Sequence, residues 1–335
     1  MSGKSDDYKK FIAAKDPTID GSLDQEDAEA AALLGEVEEE KRAAEADMEM
    51  SLFDGVRTSS GSPVQPVRLT GGNSFCFSCH KGVSCWNECC HGTDITLTPF
   101  DILRLSNHLN IRPAEFLTRF TLPATMDASG LPVAKLRMAE EEGRRPCVFL
   151  HDEDGCSVYE ARPASCRYYP LGFATVKMKG HDAVEDFYFL VREPHCQGHN
   201  ETKEQTVDQF RAEQGVDNDD MLNRGWLDIL MKMASWKTLG GPWGKEADAR
   251  TKKMFFLATT DVDAFRRFVF ETKFLETYAI EPEAIEVLRT DDAALLQLGF
   301  DWMKNVLFNE PTINMKENVL HGAIARARND ISGDS

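Results

Sequence analysis

Cys76-Phe77-Ser78-Cys79-His80-Lys81-Gly82-Val83-Ser84-Cys85-Trp86-Asn87-Glu88-Cys89-Cys90 is the stretch on which the reading of this chain turns. Five thiols fall in one short segment. The other four, Cys147, Cys156, Cys166 and Cys196, follow it, and neither flank of the chain holds any of the nine cysteines. Buried free thiols acting as small hydrophobes would be scattered, not concentrated in this way. Clustered cysteines in a chain without an export signal read as metal ligands or redox thiols. Thiolates are soft donors and select zinc, copper(I) or iron–sulfur clusters.

The run has the form C-x2-C-x5-C-x3-C-C. A bacterial ferredoxin run is C-x2-C-x2-C-x3-C followed by proline. The outer spacings agree, the central one is longer, and Cys90 stands where the proline would be. A zinc ribbon needs two CxxC pairs, and Cys76–Cys79 is the one such pair here. Neighbouring side chains of an extended backbone point to opposite faces. Cys89 and Cys90 therefore share a metal only if the backbone bends, and two separate sites are the alternative. Eight thiols would fill two four-ligand sites and leave one over. Cys147, Cys156, Cys166 and Cys196 form one conceivable set, drawn from two hairpins and a turn. Spacing alone leaves the metal open. His80, His91, His195 and His199 lie near cysteines and read as surface or supporting groups. His195, directly before Cys196, is the best exception.

Outside the cysteine segment the composition limits the function. The 335 residues suffice for one large domain or two ordinary ones. Hydrophobic residues make up 42%, enough for a sizeable core. The formal charge is −18, which argues against binding nucleic acid or an anionic membrane surface. No apolar run has the length of a bilayer-spanning helix. The start, Met1-Ser2-Gly3-Lys4-Ser5-Asp6-Asp7, is not followed by the apolar stretch of a secretory signal. A cytoplasmic, reducing location is expected, where disulfides are rare. Residues 1–66 carry 16 acidic and 7 basic residues, half of the net charge. This stretch is read as an acidic, weakly ordered tail, ending in the linker Thr58-Ser59-Ser60-Gly61-Ser62-Pro63.

The expected fold is α+β, with a metal-stapled region of short helices and small β-hairpins at 67–200. A helical region at 201–310 packs on it, and a C-terminal tail follows at 311–335. Thr98 fits an N-cap, Pro99 the first helical position and Asp101 the acidic third position. Ile102, Leu105 and Leu109 then share a face. A second helix is expected from Pro113, burying Phe116, Leu117 and Phe120. The stretches Cys147–Leu150 and Cys156–Tyr159 read as strands turning at Asp154-Gly155. A further hairpin is expected from Phe173–Met178 and Phe187–Val191. After 201 three apolar stripes are read as core: Leu222, Trp226, Ile229, Leu230 and Met233; Phe265, Phe268, Val269 and Leu275; Leu295, Leu296, Leu298, Trp302, Val306 and Leu307. Asp261 is a candidate cap for the second.

Two blocks carry a family resemblance. The first is Phe75-Cys76-x-x-Cys79, then Cys89-Cys90, then Ile95-x-Leu97-Thr98-Pro99-x-Asp101-Ile102-x-Arg104-Leu105. The second is Cys147-x-Phe149-Leu150, then Gly155-Cys156-Ser157-Val158-Tyr159-Glu160-x-Arg162-Pro163-x-x-Cys166-Arg167-x-x-Pro170, then Cys196-x-Gly198. Together they resemble the cysteine-cluster family named for CxxCxxCC, the YkgJ type, over about residues 75–200. That family is described as zinc- or iron-chelating and includes flagellin lysine N-methylases, for which an iron–sulfur cluster is implicated. The resemblance implies metal ligation by Cys76, Cys79, Cys89, Cys90, Cys147, Cys156, Cys166 and Cys196. Its usual segment before the cysteine pair is shorter. Cys85 and Trp86 are insertions here, so Cys85 has the weakest tie to the ligand set.

Arg162 and Arg167 have two readings of equal weight. They offset thiolate charge or bond to cluster sulfur, as groups around a metal do, or Glu160 and Arg162 cap or brace the turn that Pro163 begins. Tyr159, Tyr168 and Tyr169 read as packing around the site. Three functions compete. One is a redox or catalytic iron–sulfur or zinc centre, with iron–sulfur, a four-iron cluster above all, favoured over zinc because eight thiolates exceed the needs of one tetrahedral ion. Another is a structural zinc module for protein interaction, in which the metal staples short strands and long loops. The third is a protein lysine methyltransferase, by resemblance alone. A hydrolase is disfavoured, since no G-x-S-x-G elbow occurs.

Overall fold

A computed structural model describes residues 68–140, 143–151, 153–177, 184–240 and 246–321. The acidic stretch 1–66, the hairpin turn at 179–182 and most of the Gly240–Gly244 loop lie outside these. The fold is α+β. Its strands form small antiparallel sheets in the first half, and helices fill the second. β1 (Arg68–Leu69) pairs with β9 (Val184–Leu190), which also pairs with β8 (Leu171–Lys177). β2 (Ser74–Cys76) pairs with β10 (Glu204–Thr206), closing the cysteine region on itself. β3 (Thr96–Leu97) and β4 (Thr121–Met126) flank β5 (Leu131–Leu136). β6 (Leu150–His151) and β7 (Gly155–Cys156) make a two-stranded hairpin.

The first helix, α1 (Pro99–His108), begins as its sequence dictates. Thr98 Oγ1 accepts from the Asp101 N–H at 3.1 Å and Asp101 Oδ2 accepts from the Thr98 N–H at 2.9 Å, a capping box with proline at the first position. Next comes α2 (Pro113–Phe120), which buries Phe116. In the hairpin β6–β7, Gly155 takes φ +82°, and a Cβ there would stand 3.0 Å from the Trp86 ring. Only glycine serves both demands. The β4–β5 hairpin was not anticipated from sequence. Pro123 and Pro132 mask its alternation, and its turn signal is the modest Asp127-Ala128-Ser129-Gly130.

α3 (Ala164–Tyr168) lies between β7 and β8, and after β10 come the C-terminal helices, in chain order α4 (Val207–Gln214), α5 (Val216–Leu239), α6 (Ala249–Thr259), α7 (Val262–Glu271), α8 (Phe274–Thr277), α9 (Pro282–Thr290) and α10 (Asp292–Phe308). Of these, α3 precedes β8 and belongs to the cysteine region. Asp261 caps α7 through the Ala264 N–H at 3.0 Å. Trp226, Ile229 and Leu230 of α5, Phe255 of α6, Phe265 of α7 and Phe300 of α10 share one apolar core. Phe100 and Leu103 of α1 and Leu131 and Val133 of β5 belong to that same core. The helical region and the cysteine region thus bury a common surface.

Two expectations change. Val306 is 42% exposed, turned away from the face that Leu296 and Trp302 bury. Residues from 311 are not a free tail over their described part: Ile313 fills a gap in the core, and the Ala279 N–H bonds to Asn314 O at 2.8 Å. Among the described residues no helix is long and apolar enough to cross a membrane.

A close helix approach lies at Gly299, where an added Cβ would sit 2.0 Å from Ala258 O. That oxygen is backbone and cannot step aside. Gly299→Ala should lower stability by about 1–3 kcal/mol, the usual cost of overpacking. Urea unfolding followed by circular dichroism measures it, and an unchanged midpoint would contradict the approach.

Candidate metal centre

The first cysteine run ends in a 3-10 turn, Glu88–Cys90, entered through Asn87 at φ +67°. This bend lets the adjacent thiols of Cys89 and Cys90 hydrogen-bond to one another. Cys90 O accepts from the Cys147 N–H at 2.8 Å, which docks the second half of the site on the first. Cys156 follows on β7. Cys166 lies on α3, whose Ala164 N–H donates to Asp101 Oδ1 at 2.8 Å. Cys196 arrives last, just before the 3-10 turn Gly198–Asn200. Gly198 meets the first run closely: the Ser78 N–H donates to Gly198 O at 3.1 Å, and a Cβ would lie 2.6 Å from Phe77.

Several thiols accept from backbone N–H groups. Cys147 accepts from Phe149, Cys156 from Val158 and Cys196 from Gly198. The Gln197 N–H lies 3.1 Å from Cys85 Sγ. Each donor favours the thiolate over the thiol. Burial works the other way. It pushes Cys147 up to about 11, raises Cys166 further, and raises Cys156. Burial thus favours the neutral thiol at Cys147, Cys156 and Cys166, whereas the hydrogen bond with Cys90 favours the thiolate at Cys89. A group whose folded value is raised favours the fold while it stays protonated. That contribution is complete below the ordinary 9.0 and is lost as pH rises through about 11. The melting temperature of chelator-treated protein should fall between pH 9 and 11. A flat profile across that window would show these thiols to be solvated.

Eight of the nine thiols line two adjoining cavities. The larger, about 400 Å³, is lined by Cys79, Cys89, Cys90, Cys147, Cys156 and Cys166. The smaller, about 20 Å³, is lined by Cys79, Cys85, Cys89 and Cys196. Cys79 is exposed at the rim and, like Cys89, lines both. Cys76 lines neither; it is exposed on β2, opposite Glu204. The structure therefore separates Cys76 from the residues with which the resemblance grouped it, and draws in Cys85. It also divides the second-half thiols, placing Cys196 with the first run. No spacing rule shows that division, since it depends on β2–β10 pairing over more than a hundred residues.

Of the described histidines, His195 alone lines a cysteine cavity, the small one, and its Nε2 lies 3.4 Å from Glu193. His80 pairs with Glu201, His91 Nδ1 lies 3.0 Å from Asn87 O, and His199 Nε2 lies 3.1 Å from Val191 O. Arg162 lines the large cavity. It stacks on the Tyr159 ring at 3.9 Å and donates to Tyr159 O at 2.8 Å and Gln214 Oε1 at 2.5 Å. Its charge also favours the thiolates of Cys79 and Cys156. Arg167 lines neither cavity. It donates to the carbonyls of Arg162, Gln214 and Glu160, bracing the turn.

The donor set fits a thiophilic metal group. Trp86 Nε1, Thr93 Oγ1 and Gln205 Oε1 belong to residues that line the large cavity, and all three are buried without a partner. Sequence reasoning missed all three. Among the described residues no group of three or more His, Cys, Asp or Glu side chains is arranged to hold a single ion.

An α+β frame that gathers soft donors from distant segments is a cysteine-cluster, metal-binding domain. Residues 78–209 match the CxxCxxCC family, described as a "Putative zinc- or iron-chelating domain". The match begins just after Cys76, the thiol that the fold leaves aside. No curated protein and no solved structure matches the chain. The relation to flagellin methylases has no support beyond the resemblance.

Proposed function

We propose that the chain holds an iron–sulfur cluster in the large cavity, on Cys90, Cys147, Cys156 and Cys166, as a redox or catalytic centre in a reducing compartment. The observation that carries this reading is the cavity of about 400 Å³ whose lining includes those four thiols together with Cys79 and Cys89, far more room than one ion fills. The cluster would supply one-electron chemistry there. Arg162 offsets thiolate charge from the cavity wall, and Arg167 holds the turn that presents it. Lys203 and Glu213, which pair with each other, add polar groups to the lining of the same cavity. Anaerobic purification of the full chain, with iron, zinc and acid-labile sulfide assays and a visible spectrum, tests the reading. Iron and sulfide together with visible absorption support it. Colourless protein containing zinc and no sulfide would replace it with the structural-zinc reading.

A further inference from the structure

A third cavity lies apart from the thiols, and the metal centre makes no use of it. Its volume is about 660 Å³, and it shares no lining residue with either cysteine cavity. Small-molecule pockets have volumes of roughly 300–1,000 Å³. Phe100 and Leu103 of α1 and Leu222 of α5 give it an apolar surface. Its charged lining is mainly acidic. Asp219 comes from α5, and Asp291 and Asp292 come from the start of α10.

Asp219 supplies the observation that points to a ligand. The residue is 5% exposed, and its Oδ1 accepts from Arg104 at 2.5 Å. Its Oδ2 is buried with no hydrogen-bond partner. A carboxylate oxygen left in this state is costly, and a donor entering the cavity would satisfy it. Charge decides the kind of donor. Asp219, Asp291 and Asp292 against Arg104 leave the lining at −2 (1 − 3). Counting Asp101, which also pairs with Arg104, and Arg266, which pairs with Asp292, leaves the balance at −2. An anion is repelled. A bare metal ion has no ligand set here, since among the described residues no three acidic, His or Cys side chains are arranged around one ion. An ammonium group needs no such closure. It carries three donors, and its hydrogen bonds to carboxylates are charge-assisted. Asp291 uses Oδ1 to cap α10 through the Ala294 N–H at 2.9 Å, which leaves its second oxygen for such a donor.

We propose that this cavity binds a small aliphatic diamine, protonated at both ends. One ammonium bonds to Asp219 Oδ2 and the other to Asp291, and the methylene stem lies on Phe100, Leu103 and Leu222. The two positive charges balance the −2 of the site. The site stands whether or not the thiols hold a cluster.

The test is calorimetric titration of the full chain with putrescine (1,4-diaminobutane), beside Asp219→Asn and Asn218→Arg. Asn218 is an exposed residue of the lining, and arginine there sets a competing cation in the cavity without touching the core. Wild type should bind one putrescine, and succinate, an anion of the same length, should give no signal. Each variant should weaken binding about 10–100-fold, the scale of one hydrogen bond to a charged group. Circular dichroism checks the fold, and if Asp219→Asn does not fold, Asn218→Arg decides alone. Wild type that does not bind putrescine overturns the proposal. Undiminished binding by the folded variants overturns it too, since the amine then sits elsewhere. Displacement of putrescine by an equal concentration of magnesium chloride would show a general cation site and overturn the amine assignment.

Discussion

Cys89→Ser should be the most damaging single thiol change, weakening metal retention about 10–100-fold, the usual scale for losing a group that supports a metal site. Cys89 is central to the arrangement: it lines both cavities and its charge is felt by Cys79, Cys156, Cys166 and Cys196. Cys76→Ser is the matched control. Its thiol is exposed on β2 and lines neither cavity, so metal and sulfide content should be unchanged. Metal analysis of the two variants side by side decides the matter. Equal losses would mean that Cys76 swings inward when metal binds.

The second large effect is expected from Arg104→Met. Arg104 donates to Asp101 Oδ1 and to Asp219 Oδ1, both at 2.5 Å, and to Arg162 O at 3.2 Å. Asp101 is fully buried. Burial pushes its carboxyl up, while Arg104 and the N–H groups of Thr98 and Ala164 pull it down. Without the guanidinium a buried carboxylate loses its compensating charge. Breaking such a pair costs about 3–5 kcal/mol. Since protonation then favours the fold, the loss should shrink as pH falls through the raised Asp101 value. Urea unfolding at pH 7 and pH 5 checks both size and sign. A deficit that grows toward low pH would contradict the assignment.

Local signals in the sequence carried through where one residue type has one physical job. Thr98, Pro99 and Asp101 announced α1, Asp154-Gly155 announced the β6–β7 turn, and the stripe from Trp226 to Met233 announced a buried helical face. The concentration of thiols announced a metal centre. The grouping of those thiols was not readable. Nothing local tells Cys76 from Cys79: strand pairing with Glu204 holds one outward, while the chain turns the other toward Cys89. The same holds for Asp219, whose bond to Arg104 spans two regions, and for Ile313, an isolated apolar residue in a polar stretch. Such placements follow from long-range pairing, to which periodicity is blind.

The β2–β10 strap and the turn after Cys196 also have a bearing on biosynthesis. Cys196 follows Cys79 by 117 positions (196 − 79). At roughly 5–20 residues per second, a ribosome takes roughly 6–23 s to bridge them. Throughout that interval the earlier thiols have emerged without their last partner or the strand that brings it home. Any metal site that draws on Cys196 can therefore be completed only after translation has passed Thr206, and oxidants or the wrong metal have their best opportunity before then.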